Sequence, residues 1–180
     1  TGVQTCALPI YGNLLIYKNI TRKHYITLYD RDLHIIGNTE LDYIPDKTFN
    51  LDFIPYQNHF LIIYQYQKNN IVYCYGVKLN SKAEKMSEPV LLDTTSIGYF
   101  ADNKIYTTSF SEDKSKILIH KRNVKNDELS IASRLYSPDF SLIDSTRETF
   151  EYSRRNEYFS ELFTDNTGNI VYVKLSDKRS

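Results

Sequence analysis

Residues 109–121 read SFSEDKSKILIHK, and residues 162–174 read the related LFTDNTGNIVYVK. In both stretches a short segment with an aromatic residue is followed by a polar turn and then by a run of aliphatic and β-branched residues. This layout is typical of two antiparallel strands joined by a tight turn. Each stretch is therefore predicted to form a β-hairpin.

The second half of this hairpin recurs along the chain. Four apolar runs end in a similar way: LLIYK (14–18), LIIYQ (61–65), ILIHK (117–121) and IVYVK (170–174). Their last residues are 47, 56 and 53 positions apart. Self-similarity at this period indicates a repeat architecture, with one supersecondary unit per repeat.

Further strand-like segments surround each apolar run. The segments that follow the runs are HYITLYD (24–30), IVYCYGVKL (71–79) and ELSIASRLY (128–136), and those that precede them are FNLDFI (49–54), IYTTSF (105–110) and YFSELF (158–163). A last segment begins after a turn, because YDRDLHII (29–36) aligns with YSPDFSLI (136–143). Helix periodicity is nearly absent, and residues 81–88 are predicted to be a long hairpin tip. The sequence therefore predicts an all-β fold of four-stranded antiparallel units.

A repeated four-stranded unit of about 50 residues is typical of a β-propeller blade. The stretch at 109–121 resembles the strand–turn–strand repeat of TolB-type bacterial propellers, which commonly reads F-S-P-D-G-x-x-I; Glu112 and Lys114 depart from that pattern. The chain as a whole is similar in general composition to secreted propeller-like proteins of environmental bacteria. The resemblance implies a partial β-propeller over residues 11–180, and the alternative is a β-sandwich. The expected blades are 12–41, 49–92, 105–150 and 158–175.

The two ends of the chain predict a truncated protein. Residues 1–10, TGVQTCALPI, look like the translation of a sequencing-library adaptor. They are expected to be a non-native segment with few contacts, because Pro9 should interrupt a regular strand. Cys74 is then the only native cysteine, so no intrachain disulfide is expected. About half a propeller ring is expected, with apolar blade faces left open at both ends.

Composition excludes two classes of partner. Lysine plus arginine and aspartate plus glutamate both number 22, which gives a formal net charge of zero. That balance argues against a nucleic-acid-binding surface built on overall charge. No apolar run approaches the roughly 18 residues that a transmembrane helix needs, so no membrane span is predicted.

The residues that carry catalytic or metal chemistry in other proteins do not form a recognisable motif here. No two histidines have metal-ligand spacing, and neither a G-x-S-x-G elbow nor a phosphate-binding glycine loop is present. His120 and Cys74 are predicted to be buried strand residues. Asp165-x-Thr167-x-Asn169 is better explained by a hairpin turn than by a calcium loop. No catalytic residue, metal ligand or cofactor site is therefore assigned.

Loops supply the remaining candidates. In a propeller, the loops that join strands two and three and those that join successive blades share the face that usually binds ligands; here they span residues 19–24, 67–70, 123–128, 42–48, 93–104 and 151–157. The candidate binding residues on them are Lys23, His24, Lys68, Arg154 and Arg155. Adjacent arginines can bind a carboxylate or a phosphate through paired hydrogen bonds.

The function that best fits these observations is a non-catalytic binding or scaffolding module. Its expected partner is a protein or a small polar or anionic ligand, and its expected location is the periplasm or the extracellular space. The alternative is the propeller portion of a hydrolase whose catalytic residues lie outside this stretch of sequence, because propellers host binding and catalysis alike.

Overall fold

The computed structural model describes residues 6–10, 12–153 and 155–177, in which all regular structure is β. The strands are β1 (Cys6–Ile10), β2 (Asn13–Ile20), β3 (Lys23–Tyr29), β4 (Ile35–Glu40), β5 (Thr48–Pro55), β6 (His59–Lys68), β7 (Ile71–Asn80), β8 (Val90–Ser96), β9 (Tyr106–Phe110), β10 (Ile117–Lys125), β11 (Glu128–Tyr136), β12 (Leu142–Glu151), β13 (Glu157–Phe159), β14 (Phe163–Thr164), β15 (Ile170–Val171) and β16 (Lys174–Ser176). The prediction of an all-β fold is confirmed. No helix able to cross a membrane occurs in the described part of the chain.

The chain divides into two compact units, Thr1–Lys104 and Ile105–Ser180. The first unit contains two four-stranded sheets, β1–β4 and β5–β8, and the second contains the sheet β9–β12. In each sheet consecutive strands pair antiparallel with their neighbours in chain order. The apolar runs at 14–18, 61–65 and 117–121 lie in β2, β6 and β10, each the second strand of its sheet. For these three runs the sequence repeat corresponds to a repeat of four-stranded sheets. The fourth run, 170–174, is divided between β15 and β16, which belong to two-stranded sheets, so the prediction that it occupies the same position is wrong.

Three of the turns that join paired strands have the same hydrogen-bonding geometry. Each begins with a residue whose side-chain oxygen accepts two backbone N–H bonds, from the residues two and four positions later. The first residues of these turns are Asp30, Asn80 and Asp165. The fourth residue of each turn has a positive φ, which is 63° at Leu33, 62° at Ala83 and 95° at Gly168. Side chains of Asp and Asn favour such turns because they replace a missing backbone partner.

A β-bulge marks the fourth strand of every complete sheet. In each of these strands the pairing register passes over one residue, which is Ile36 in β4, Leu92 in β8 and Ile143 in β12. The extra residue shifts the alternation of side chains between the two faces from that point onward. The alignment of residues 29–36 with 136–143 therefore matches equivalent turn and bulge positions in two sheets.

The core of the first unit lies between its two sheets. Leu15 and Ile26 from the first sheet share one cluster with Phe60, Ile62 and Val77 from the second sheet, and all of these side chains are buried. Strand β6 is buried on both of its faces, because every residue from Phe60 to Gln65 has a buried side chain. A strand buried on both faces reads as a continuous apolar run, as residues 60–64 do.

In the second unit, the C-terminal strands cover one face of the sheet β9–β12. Leu118 and Ile131 of the sheet form a cluster with Phe159 and Leu162 of the C-terminal segment. That segment is an irregular hairpin in which β13 pairs with β16 and β14 pairs with β15. Where it is interrupted, the guanidinium of Arg122 donates to the backbone carbonyls of Phe159 and Ser160. Arg122 therefore satisfies acceptors that a regular hairpin would pair internally.

The N-terminal segment departs from the prediction. Residues 6–10 form β1 and pair with β2 from Cys6 opposite Tyr17 to Ile10 opposite Asn13. The expectation that these residues stand outside the fold, with Pro9 interrupting the strand, is wrong. Proline is tolerated because β1 is an edge strand, where one row of N–H groups needs no partner in the sheet. The first sheet has four strands as a result. The adaptor origin of the segment stays a prediction.

Candidate functional site

A polar groove in the second unit is the best candidate for a functional site. It lies between β11 and β12 on one side and the C-terminal hairpin on the other, and its main cleft has a volume of about 260 Å³. A smaller cavity of about 40 Å³ adjoins it and shares four lining residues with it. The residues that line the main cleft are Ser133, Leu135, Asp144, Thr146, Glu148, Gly168, Asn169 and Ile170.

The floor of the groove is a row of polar side chains across the sheet. Thr107, His120, Ser133 and Thr146 lie opposite one another on four successive strands, so they share one face. Ser133 is only 4% exposed, yet it lines both cavities. Among the residues that the structure describes, no hydrogen bond is found for the hydroxyls of Ser133 and Thr146. Ser133 is buried and Thr146 is half-buried, and both hydroxyls can therefore bond a ligand that enters the groove.

Two carboxylates stand at either side of the hydroxyl pair. Asp144 lies opposite Leu135, and Glu148 lies opposite Ile131, two residues before and two residues after Thr146 on the same strand face. The hydroxyl of Tyr172 approaches Glu148 Oε2 at 3.5 Å. Among the described residues, none that lines the main cleft is a lysine or an arginine. The groove therefore presents hydrogen-bond acceptors and negative charge.

The far wall of the groove is the turn from Asp165 to Asn169. Asp165 Oδ1 accepts the backbone N–H groups of Thr167 and Asn169, and Asn169 Nδ2 donates to Asp165 Oδ2. The hydrogen bonds from Thr167 and Asn169 hold the pKa of Asp165 well below its usual range. This carboxylate is therefore committed to holding the turn, and the hairpin interpretation of residues 165–169 is confirmed.

Gly168 brings the turn into contact with the groove. A Cβ atom at Gly168 would lie 2.9 Å from Leu135 Cδ2, and its φ of +95° is one that other residues rarely adopt. We expect Gly168→Ala to lower the free energy of unfolding by about 1–3 kcal/mol, because both strain and overlap oppose the methyl group. Chemical denaturation measures the effect. Gly98→Ala is the matched control, since no atom lies within 4 Å of its Cβ position; equal effects of the two substitutions would contradict the assignment.

Charged side chains next to the groove connect the C-terminal hairpin to the sheet β9–β12. Glu161 Oε2 lies 3.8 Å from His120 Nε2 and 3.6 Å from Arg122 Nη2. His120 is buried, as the sequence predicts, whereas Glu161 is exposed. The guanidinium of Arg122 also lies over the ring of Phe159, with 5.5 Å between its carbon and the ring centroid. These contacts tie the C-terminal hairpin to the sheet and so set the width of the groove.

The two lysines predicted to bind ligands, Lys23 and Lys68, lie at strand ends in the first unit. Lys23 is the first residue of β3, and its ammonium group donates a hydrogen bond to Glu40 Oε1 at 2.9 Å. This hydrogen bond to Glu40 raises the pKa of Lys23. Lys68 is exposed at the end of β6, before the corresponding turn of the second sheet, where Ile71 is the residue equivalent to Lys23. Both cations are on the predicted loops, but the charge of Lys23 is already paired.

The structure corrects the placement of His24. Its side chain is 1% exposed, so it is part of the core and not a loop-surface ligand. Nδ1 lies 2.7 Å from the hydroxyl of Tyr17, and Nε2 lies 3.2 Å from the carbonyl oxygen of Pro45. Burial lowers the pKa of His24. The alternation of β3 directs it inward, since Ile26 and Leu28 are buried on the same strand.

Of the adjacent arginines, Arg154 lies outside the described residues, and Arg155 is exposed. Arg155 lines an open cleft of about 690 Å³ together with Asp127, Glu151 and Glu157. Lys174 forms an ion pair with Glu157 at 3.0 Å. Of the described residues that line this cleft, three are carboxylates and one is an arginine, so this described lining carries no excess of positive charge.

Two further groups of side chains that could carry chemistry have structural roles. Asp30, Asp32 and His34 bring potential metal-ligand atoms within 4.8 Å of one another. However, Asp30 Oδ1 already accepts two backbone N–H bonds, and its Oδ2 lies 3.3 Å from His34 Nδ1. The cluster is therefore explained by the turn motif. Cys74 is buried within β7, which confirms its prediction as a strand residue in the interior.

The fold and the groove define a class of protein: an all-β chain of repeated four-stranded antiparallel sheets with a polar groove beside the third sheet. No protein-family model matches the chain, and no curated protein matches it.

Proposed function

We propose that this chain is a non-catalytic binding module that holds a small polar ligand in the groove of the second unit. The observation that carries the proposal is the pair of hydroxyls on Ser133 and Thr146, which face a cleft of about 260 Å³ without a partner among the described residues. Ligand sites commonly combine apolar walls with a few convergent polar groups. Leu135 and Ile170 supply such walls here.

The charge of the groove selects among polar ligands. Asp144 and Glu148 favour a ligand that donates hydrogen bonds, either neutral or cationic, and they oppose an anion. The sequence predicts a small ligand that is either polar or anionic. The negative charge of the groove favours a polar ligand that is not an anion. A hydroxylated ring that carries an amine matches the two hydroxyls, the two carboxylates and the size of the cleft.

Three related sugars test this proposal. Glucosamine, glucose and glucose 6-phosphate share one ring and carry a positive, a neutral and a negative charge. Titration calorimetry and ligand-observed NMR on the full chain are expected to rank their affinities in that order. We expect Glu148→Gln to weaken glucosamine binding about tenfold, because a hydrogen bond to a charged group contributes roughly 1.5–3 kcal/mol.

Matched variants distinguish the groove from other acidic surfaces. Glu88→Gln removes the same charge from a side chain of the first unit that is 84% exposed, and it is expected to leave the affinity unchanged. Thr146→Val should weaken all three sugars, since it removes a hydroxyl while preserving shape. Tighter binding of glucose 6-phosphate than of glucosamine, or the same loss with Glu88→Gln as with Glu148→Gln, would contradict the proposal.

We also propose that the four-stranded sheets are blades of a β-propeller. Support comes from their consecutive meander order and from the recurrence of β2, β6 and β10 at the same position in each sheet. In a sandwich, strands seldom repeat in register in this way. The resemblance to TolB-type repeats and the extracytoplasmic location stay predictions that accompany this proposal.

A further inference from the structure

The C-terminal strands present a continuous apolar face to solvent. Five large apolar side chains on them are between 51% and 62% exposed: Tyr158, Phe163, Val171, Val173 and Leu175. Four of them lie in paired strands, because Tyr158 lies opposite Leu175 and Phe163 lies opposite Val171, and Val173 lies between β15 and β16. We call this set the C-terminal face.

The opposite side of the same strands packs against the core of the second unit. Phe159, Leu162, Ile170 and Tyr172 alternate with the exposed residues and pack into the core of the second unit. The strands are therefore apolar on both sides, with one side covered and the other open. Antiparallel strands that end at solvent normally carry polar residues on the open side.

The rest of the chain shows how such a strand is covered. The run IVYVK at 170–174 repeats LIIYQ at 61–65, which lies in β6. Both faces of β6 are buried, and Phe60 and Ile62 pack against Leu15 and Ile26 of a neighbouring sheet. In the first unit, the strand that carries this repeat is therefore covered by the apolar face of a neighbouring sheet.

We propose that a second copy of this chain covers the C-terminal face, with the same face of both copies meeting about a two-fold axis. Two-fold dimers are the commonest assemblies, and they require a surface that complements itself. The C-terminal face meets that requirement, because none of its five side chains is charged. The cation beside it, Lys174, is paired with Glu157 at 3.0 Å, so two copies do not repel.

The area of the face sets the strength of the dimer. Five half-exposed side chains make a patch on the order of 400 Å², which lies within the range of the largest apolar patch on a monomer and is often functional. A standard stable interface buries about 800 Å² on each partner. The face supplies about half of that area, so the expected dimer is weak and depends on concentration.

Sedimentation of the whole chain over a wide range of concentrations tests the proposal. We expect a concentration-dependent monomer–dimer equilibrium, and we expect Val171→Lys to raise the dissociation constant at least tenfold. Leu142→Lys is the matched control, because Leu142 is 52% exposed and Val171 is 53% exposed. This control is expected to dimerise as the wild type does. Circular dichroism verifies that both variants are folded.

Hydrogen exchange on the wild-type chain provides a test that needs no variant. Dimer formation is expected to protect residues 157–176 at high concentration, with no other segment changing. A monomer at all concentrations would overturn the proposal. Protection of a second segment such as β2–β3 would also overturn it, since that pattern belongs to head-to-tail contact between different faces.

Discussion

Replacing Ile62 with alanine is expected to lower the free energy of unfolding of the first unit by about 3–4 kcal/mol, within the range for deleting a large aliphatic side chain from a core. Ile62 is fully buried, and its cluster contains residues of both sheets in the unit. The loss combines the transfer of the missing methyl groups with the cavity that they leave. Urea denaturation followed by circular dichroism measures the change.

Ile35 supplies the matched control. It is also an isoleucine in a strand of the first unit, but 64% of it is exposed. We expect Ile35→Ala to change the free energy of unfolding by no more than about 0.5 kcal/mol. If the two substitutions had similar effects, the cluster around Ile62 would not be the core of this unit.

Replacing Tyr17 with phenylalanine is expected to destabilise the first unit by about 1–3 kcal/mol, because a buried ring nitrogen loses its donor. His24 Nε2 donates to the carbonyl of Pro45, so the neutral ring has Nδ1 free to accept from the hydroxyl of Tyr17 at 2.7 Å. Burial raises the pKa of Tyr17 to about 12, which keeps the hydroxyl protonated as that donor. Tyr99→Phe, at an exposed tyrosine, is the control and should be nearly neutral.

The same pair predicts how stability depends on pH. Burial lowers the pKa of His24 in the folded state, so the unfolded chain takes up a proton first as the pH falls below about 6.5. Stability should therefore be fully present above that pH and decrease as the pH falls towards the folded pKa. His59, whose pKa burial also lowers, adds a decrease of the same sign.

Tyr17→Phe should leave this pH dependence in place. Burial is the main cause of the lowered pKa of His24, and a phenyl ring at position 17 keeps the imidazole buried. Denaturation midpoints measured between pH 7.5 and 5 test this expectation. Loss of the pH dependence in the variant would show that the hydroxyl group, and not burial, holds the ring neutral.

Local patterns in the sequence were sufficient for the strands and their grouping. The runs at 14–18, 61–65 and 117–121 are strands because β-branched and aromatic side chains suit a pleated, buried surface, whatever lies around them. Turn positions such as Asp30 and Asp165 were also readable, since their side chains bond the backbone only a few residues away. His120 and Cys74 were placed correctly for the same reason, because each stands inside an apolar run.

The pairing between strands determines which side chains lie next to one another, and local sequence patterns do not reveal this. The groove depends on Ser133 lying opposite Thr146, and that register holds only because the bulge at Ile143 shifts β12 by one residue. A shift of one residue exchanges the two faces of a strand, so no local pattern reveals which side chains meet. His24 was misplaced for a related reason: its position beside a turn suggested exposure, whereas strand alternation turned it inward. The strands follow from local chemistry, and the groove, the buried His24 and the place of residues 6–10 follow from contacts between distant segments, which only the tertiary structure sets.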